Sequence, residues 1–366
     1  MNQMKYNNTR ATMAIAVASF RSIIRSPSAV VFSLAFPLIF IVVFANIGGS
    51  AVTVEVGVAK TCDTINPVYQ VLKKTGVVHL IKDQSTADMA SNLSKGRGMD
   101  AIIDIQKNES RTPYTLHVQY TNASEQKGQI LKSLLNSIFY QINSMGNPNP
   151  QPVAEIKATT VKGREYKYID FLLPGMLGFS LLSSGVFGTA FVFLSLRLTL
   201  VIKRFFATPV KKYSIVLGEA LARLVFSWIG ALFIIVVGHY FFGFTLIHGI
   251  TTVANMLILS AMGLIVFMGF GFIISGIAKN ESAVPPLSNI ITMPQFLLSG
   301  TFFATTAFPT WLQGLSNILP LTYLNKAMRD VAFEGAGLGD VTKDLVVLGI
   351  WFVIVYGVAV KTFKWE

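Results

Sequence analysis

A single cysteine, Cys62, excludes an intrachain disulfide framework. The four histidines, His79, His117, His239 and His248, fall at no metal-ligand spacing. There is no H-E-x-x-H, no Cys/His cluster, no G-x-S-x-G and no phosphate-cradling G-x-x-x-x-G-K-[ST]. The residues therefore offer no catalytic group, no metal site and no cofactor loop of the chain's own. Charge is scarce as well: only 13% of the residues are charged, where soluble domains carry about a quarter. Few carboxylates interrupt the apolar stretches, and no inverted repeat is evident, which argues against an ion-driven secondary carrier.

What the chain has is long apolar sequence. Of its 366 residues, 52% are hydrophobic, and residues 171–196 and 224–247 contain no charged residue at all. About 20 apolar residues cross a bilayer core, and helices satisfy their own backbone in lipid. The runs are continuous rather than alternating, which excludes a barrel. The net charge of +12 is spread between membrane flanks and one polar insert. No groove-sized basic patch forms, so nucleic acid is not an expected partner.

In chain order, residues 1–27 predict an amphipathic helix on the inner membrane surface. Met13, Ala14, Val17, Phe20, Ile23 and Ile24 recur at helical spacing, and Lys5, Arg10, Arg21 and Arg25 face the headgroups. A plain positive leader is the alternative. Residues 28–47 form the first span, kinked at Pro37; a cleaved signal peptide competes, but the apolar part is too long for a typical one. Residues 48–170 differ in composition, with 14 Lys/Arg against 11 Asp/Glu. Strands are expected at 53–59, 77–81, 101–105, 114–120 and 153–161. Helices are expected at 66–75, 85–93 and 123–142, the last broken by Asn147-Pro148-Asn149-Pro150. In the helix at 123–142, Ile130, Leu134, Leu135, Ile138 and Ile142 share a face. This reads as a small α+β extracytoplasmic domain.

The second span covers 171–196. A basic turn, 197–214, follows it, and the third span covers 215–242, with Glu219 and Arg223 four apart on one helix face near the inner boundary. The fourth span is 250–278. Residues 282–325 then run 44 positions without charge. Residues 326–344 hold three Lys/Arg against four Asp/Glu, whereas the tail carries Lys361 and Lys364. The positive-inside rule puts that tail in the cytoplasm. One span, 284–303, and a re-entrant hairpin, 304–325, fit that assignment, with a last span at 345–360 and a tail at 361–366. The expected architecture is an α-helical polytopic membrane protein: six transmembrane helices plus the hairpin, both termini cytoplasmic, in the cell (inner or plasma) membrane.

The sequence resembles the permease subunits of the ABC-2-type transporter family, in the variant with a large outer domain after the first span. Four places carry the likeness: Arg25-Ser26-Pro27 with Phe36-Pro37-Leu38-Ile39-Phe40; Phe171-Leu172-Leu173-Pro174-Gly175; Lys203 to Val210 with Leu217-Gly218; and Leu298 to Phe303, Phe308-Pro309, Trp311-Leu312, Leu319 to Tyr323 and Arg329. One element departs. The charged Arg/Glu-Gly-Thr before the family's coupling segment reads Leu196-Arg197-Leu198-Thr199-Leu200 here.

The resemblance implies a second permease subunit, identical or related, and separate cytosolic ATPase subunits that bind ATP and Mg. It implies an ATPase-coupling segment at Lys203, Arg204, Phe205, Phe206, Thr208, Pro209, Lys211 and Lys212. It also implies a path between subunits lined by the second and fifth spans, for which Ser184, Phe187, Phe191, Met293, Phe296 and Ser299 are candidates. An apolar wall with hydroxyls suits export of a lipophilic or amphipathic substrate, and lipids surround the body. Two other readings stand beside this one. A non-transporting scaffold or sensor would bind a ligand through its outer domain. A secondary carrier would need intramembrane carboxylates that are lacking.

Overall fold

In a computed structural model of the chain, the described residues are 7–26, 31–47, 54–82, 84–95, 98–107, 114–121, 124–144, 154–161 and 167–363. The expected start of the first span at 28–30 and the Asn-Pro break at 147–150 lie outside them. The chain divides into two units, one of residues 1–47 with 168–366 and the other of residues 48–167.

The first unit is helical. Helix α1, Asn8–Ile24, is capped by Asn7, whose side-chain oxygen accepts from the backbone of Thr9 and Arg10. A π-helical turn, Val31–Ala35, leads into α2, Phe36–Ile47. The wide turn ends where Pro37, which has no N–H to give, enters the helix.

The second unit begins with β1, Val54–Val58, and α3, Pro67–Lys74. Next come β2, Val78–Ile81, α4, Thr86–Lys95, and β3, Ala101–Lys107. It closes with β4, Tyr114–Thr121, α5, Glu125–Ser144, and β5, Ala154–Val161. The strand order is β2-β1-β3-β4-β5. Strand β1 runs parallel to both β2 and β3, β3–β4 is antiparallel, and β4–β5 is parallel. The core packs Val56, Leu72, Ile103 and Val118 against Leu131, Leu135, Ile138 and Phe139 of α5. Of the expected stripe, Leu135 and Ile138 are buried and Ile130 and Leu134 pack against the core from its edge, with Leu131 and Phe139 added to it; the Ile142 side chain lies outside what is described.

After the insert the first unit resumes. Helix α6, Tyr168–Ser183, passes through a π-helical turn, Ser184–Gly188, into α7, Thr189–Leu198. Helix α8, Val201–Phe206, is short; α9, Lys212–Phe242, and α10, Ile250–Ile277, are long. Then come α11, Val284–Leu298, α12, Thr310–Ser316, α13, Pro320–Arg329, and α14, Thr342–Thr362.

Among the described residues, four helical runs are long and apolar enough to cross a membrane: 168–198, 212–242, 250–277 and 342–362. The stretch 284–303 is not one continuous helix. It stops at Leu298, and Gly300 turns the backbone with φ +70°, a conformation glycine adopts without a Cβ penalty. The stretch 304–325 folds as a 3-10 turn, Thr305–Ala307, then α12 and the start of α13.

Small residues let the helices approach closely. A Cβ on Gly185 would lie 2.7 Å from that of Phe267, and one on Gly271 would lie 2.7 Å from the Val186 carbonyl. Helix α10 therefore crosses the 184–188 turn almost backbone to backbone.

Candidate functional site

The basic turn between α7 and α9 is built from short local pieces. Helix α7 ends at Thr199, and Leu200 takes a left-handed backbone, φ +59°. A side chain there costs about 1–2 kcal/mol, and the reversal launches α8 at once. Ile202 is buried and Val210 packs against the core, so the segment is pinned at both ends. Lys203, Arg204, Ala207, Thr208, Pro209, Lys211 and Lys212 are exposed between and beside those anchors. Lys211 Nζ sits 5.8 Å from the Tyr213 ring centroid. Phe205 and Phe206 close α8, and their side chains lie outside what is described.

Arg197 ties this turn to the bundle. Its guanidinium donates to the Gly276 carbonyl at 3.3 Å and to the Ala278 carbonyl. These acceptors stand at the C-terminal end of α10, where helix carbonyls lack intrahelical donors.

Deeper in the bundle, Glu219 and Arg223 form an ion pair at 2.6 Å, with each side chain 5% exposed or less. Arg223 also donates to the Ser184 carbonyl at 3.2 Å and to the Gly188 carbonyl at 2.6 Å. Both acceptors bound the π-helical turn, whose wider winding frees carbonyls from the regular ladder. Gly188 leaves the room: a Cβ there would overlap the Arg223 guanidinium. So α9 is bolted to the middle of the α6–α7 run by one arginine.

The path candidates do not share one environment. Ser184 and Phe187 are half-buried on the π turn, beside which α11 packs. Phe191 and Met293 are exposed, and Ser299 is buried. Phe296 sits in an aromatic cluster, 4.2 Å from Phe179 and 4.9 Å from Phe302 between ring centroids, with Phe36 and Phe40 beside it.

Other polar anchors hold the bundle; of these the sequence singles out Arg329 alone, as part of the family likeness and without a partner. Arg329 lies 3.7 Å over the Phe171 ring and donates to the carbonyls of Phe171 and Gly300. Asp170 accepts from the Thr245 backbone at 2.7 Å, and Lys326 pairs with buried Asp344 at 3.1 Å. Asn325 donates to the Ser299 carbonyl at 3.1 Å. For the others the one sequence signal is position: Asp170 and Asn325 border charge-free runs, but nothing in their spacing names a partner. Among the described residues no cluster of His, Cys, Asp and Glu could hold a metal ion.

The family model described as ABC-2 family transporter protein matches residues 27–361. The protein named ABC transporter G family member 20 of Dictyostelium discoideum is 26% identical over 371 residues, which is 95% of this chain and 50% of that protein. The inner membrane transport permease YadH of Escherichia coli K12 is 23% identical over 176 residues, 48% of this chain and 66% of its own. The chain thus spans half the length of the first relative and about two thirds of the second is matched. With a model covering the apolar helices, the insert and the basic turn alike, this membrane chain belongs to the ABC-2 transporter family.

Proposed function

We propose that the chain is the permease subunit of an ATP-driven exporter, powered by a separate ATP-binding subunit that holds ATP and Mg. Its cargo is a lipophilic or amphipathic molecule taken from the cytoplasm or the inner leaflet. The observation that carries this reading is the basic turn itself. The short helix α8 presents Lys203 and Arg204 outward and the start of α9 presents Lys211 and Lys212, while Ile202, Val210 and Arg197 fix the turn to the bundle. A solvated loop that only marked the inner side would need no such anchoring.

In this mechanism Phe205 and Phe206 enter an apolar groove of the ATPase and the cations meet its acidic rim. Pro209 stiffens the turn. Displacement passes through Arg197 to the end of α10 and through Val210 into α9. Arg223 then carries it to the 184–188 turn beside α11, where the path would open between two permease subunits. Six spans serve this arrangement: 28–47, 171–196, 215–242, 250–278, 284–303 and 345–360, with both termini and residues 197–214 cytoplasmic. Residues 48–170 would stand outside the cytoplasm. Two of those spans are short as described helix: 31–47 and Val284–Leu298. At about 1.5 Å per residue they rise roughly 25 Å or less, so thinning of the local bilayer or flanking turns would complete them.

The test is co-purification of the tagged chain with its soluble partner, followed by ATP hydrolysis and transport assays. The wild type should bring a stoichiometric Walker-motif subunit. Replacing Phe205 and Phe206 by alanine should abolish transport while the chain stays monodisperse and helical. Undiminished transport by that variant, or a wild-type complex without ATP hydrolysis, would overturn the reading.

A further inference from the structure

An open groove of about 460 Å³ runs between α1 and α9. Val17, Phe20, Leu221 and Val225 line it, and Arg21 and Arg25 stand on its rim. The two arginines are one turn apart on one helix face, and both are exposed. Among the described residues no carboxylate pairs with either. The chain has no acidic residue before Glu55. An apolar trough with an unpaired double cation at its edge is complementary to an anionic amphiphile.

The depth of the groove agrees with that chemistry. Helix α9 has 31 residues, about 46 Å at ~1.5 Å per residue, against a hydrocarbon core of ~30 Å. About ten residues therefore project. The end with Lys211, Lys212, Glu219 and Arg223 is the charged one, so the excess lies there and the hydrocarbon begins near Leu221 to Val225. Helix α1 passes at that level, with Ile23 against Ala222 and Phe226. Its side chains lean toward its own N-terminus, which carries the guanidinium groups back toward the headgroups. On the other side of the boundary α9 continues as an exposed apolar stripe through Ile229 and Leu232.

We propose that this groove holds one anionic phospholipid. Arg21 and Arg25 grip its phosphate, and one acyl chain lies against Val17, Leu221 and Val225 and runs on along Ile229. The inference rests on α9 spanning the bilayer and is independent of ATP coupling. A partner helix would have to bring carboxylates to two arginines at headgroup depth, whereas a lipid supplies the charge and the apolar tail together.

The test is native mass spectrometry of the full chain in mild detergent with added phosphatidylglycerol or phosphatidylcholine of matched acyl chains. The wild type should retain one phosphatidylglycerol in preference to phosphatidylcholine. R21Q/R25Q should weaken that retention about thirty-fold, and V17W/L221W, which fills the trough, should lower retention of either lipid. Equal retention of the two headgroups by the wild type would overturn the site, and that measurement needs no variant to fold. Undiminished phosphatidylglycerol binding by folded R21Q/R25Q would do so too. So would V17W/L221W turning a dimer into a monomer with lipid binding unchanged, since the occupant would then be a second copy. None of these readouts depends on transport or ATP hydrolysis.

Discussion

Arg223 carries more of the bundle's polar chemistry than any other side chain in α9. It neutralises Glu219 and satisfies two carbonyls of the π turn. The two side chains lie together almost fully buried, so each charge depends on the other. Arg223→Met should cost about 3–5 kcal/mol, because it strands a buried carboxylate. Thermal unfolding in detergent would show this as a large drop in Tm. Adding Glu219→Leu should recover much of the loss, since removing both charges of a buried pair is far cheaper than removing one. No recovery would mean that the two carbonyls, not the charge, set the cost. In the insert, burial pushes the Cys62 thiol pKa up, and the nearby Asp104 and Asp63 carboxylates add to the shift. The thiolate is the reactive form, so at pH 8 Cys62 should react with iodoacetamide more slowly than a free thiol peptide. Its rate should keep rising with pH after the peptide's has levelled. Equal rates at pH 8 would refute the shift.

At the scale of elements, α1 is a packed helix as well as an amphipathic one. Gly218 lets it dock on α9: a Cβ there would lie 2.7 Å from Ile15 Cγ2 and 2.9 Å from the Thr12 carbonyl oxygen. The near neighbours include backbone, which cannot swing aside as a flexible side-chain end can. Gly218→Leu should cost about 1–3 kcal/mol by overpacking and should lift α1 off α9. Trypsin in mild detergent should then cut after Arg21 and Arg25 faster than in the wild type, with later sites unaffected. An unchanged digestion pattern would mean that α1 is held elsewhere. The amphipathic period of 1–27 was legible because Met13, Val17 and Ile24 repeat on one face. Its partner was not, because Gly218 has no side chain to announce a contact. The turn at 299–303 was hidden for a similar reason. Hydropathy runs unbroken through Gly300, and only its φ of +70° reveals that the helix has ended.

For the whole molecule, the insert has its own five-stranded sheet and its own core. A unit of residues 48–167 is long enough to bury most of its apolar surface, since many domains of about 55–65 residues already fold alone. Expressed alone, this segment should be soluble and melt in one cooperative transition with mixed α/β circular dichroism. A gradual, featureless melt would show that it needs the membrane unit. The sequence by itself determined the membrane class, the apolar helices and the mixed strands and helices of the insert. Each of these is a local decision: lipid forces a backbone to satisfy itself within one helix, and a strand or helix declares itself by its own period. The tertiary structure alone decided the cross-connections. Arg197 finds carbonyls at 276 and 278, Arg223 finds those at 184 and 188, and Arg329 joins 171 to 300. An arginine's charge and place in the chain are written in sequence. The carbonyls it satisfies are frayed ends, π turns and bends that exist only once distant helices have packed.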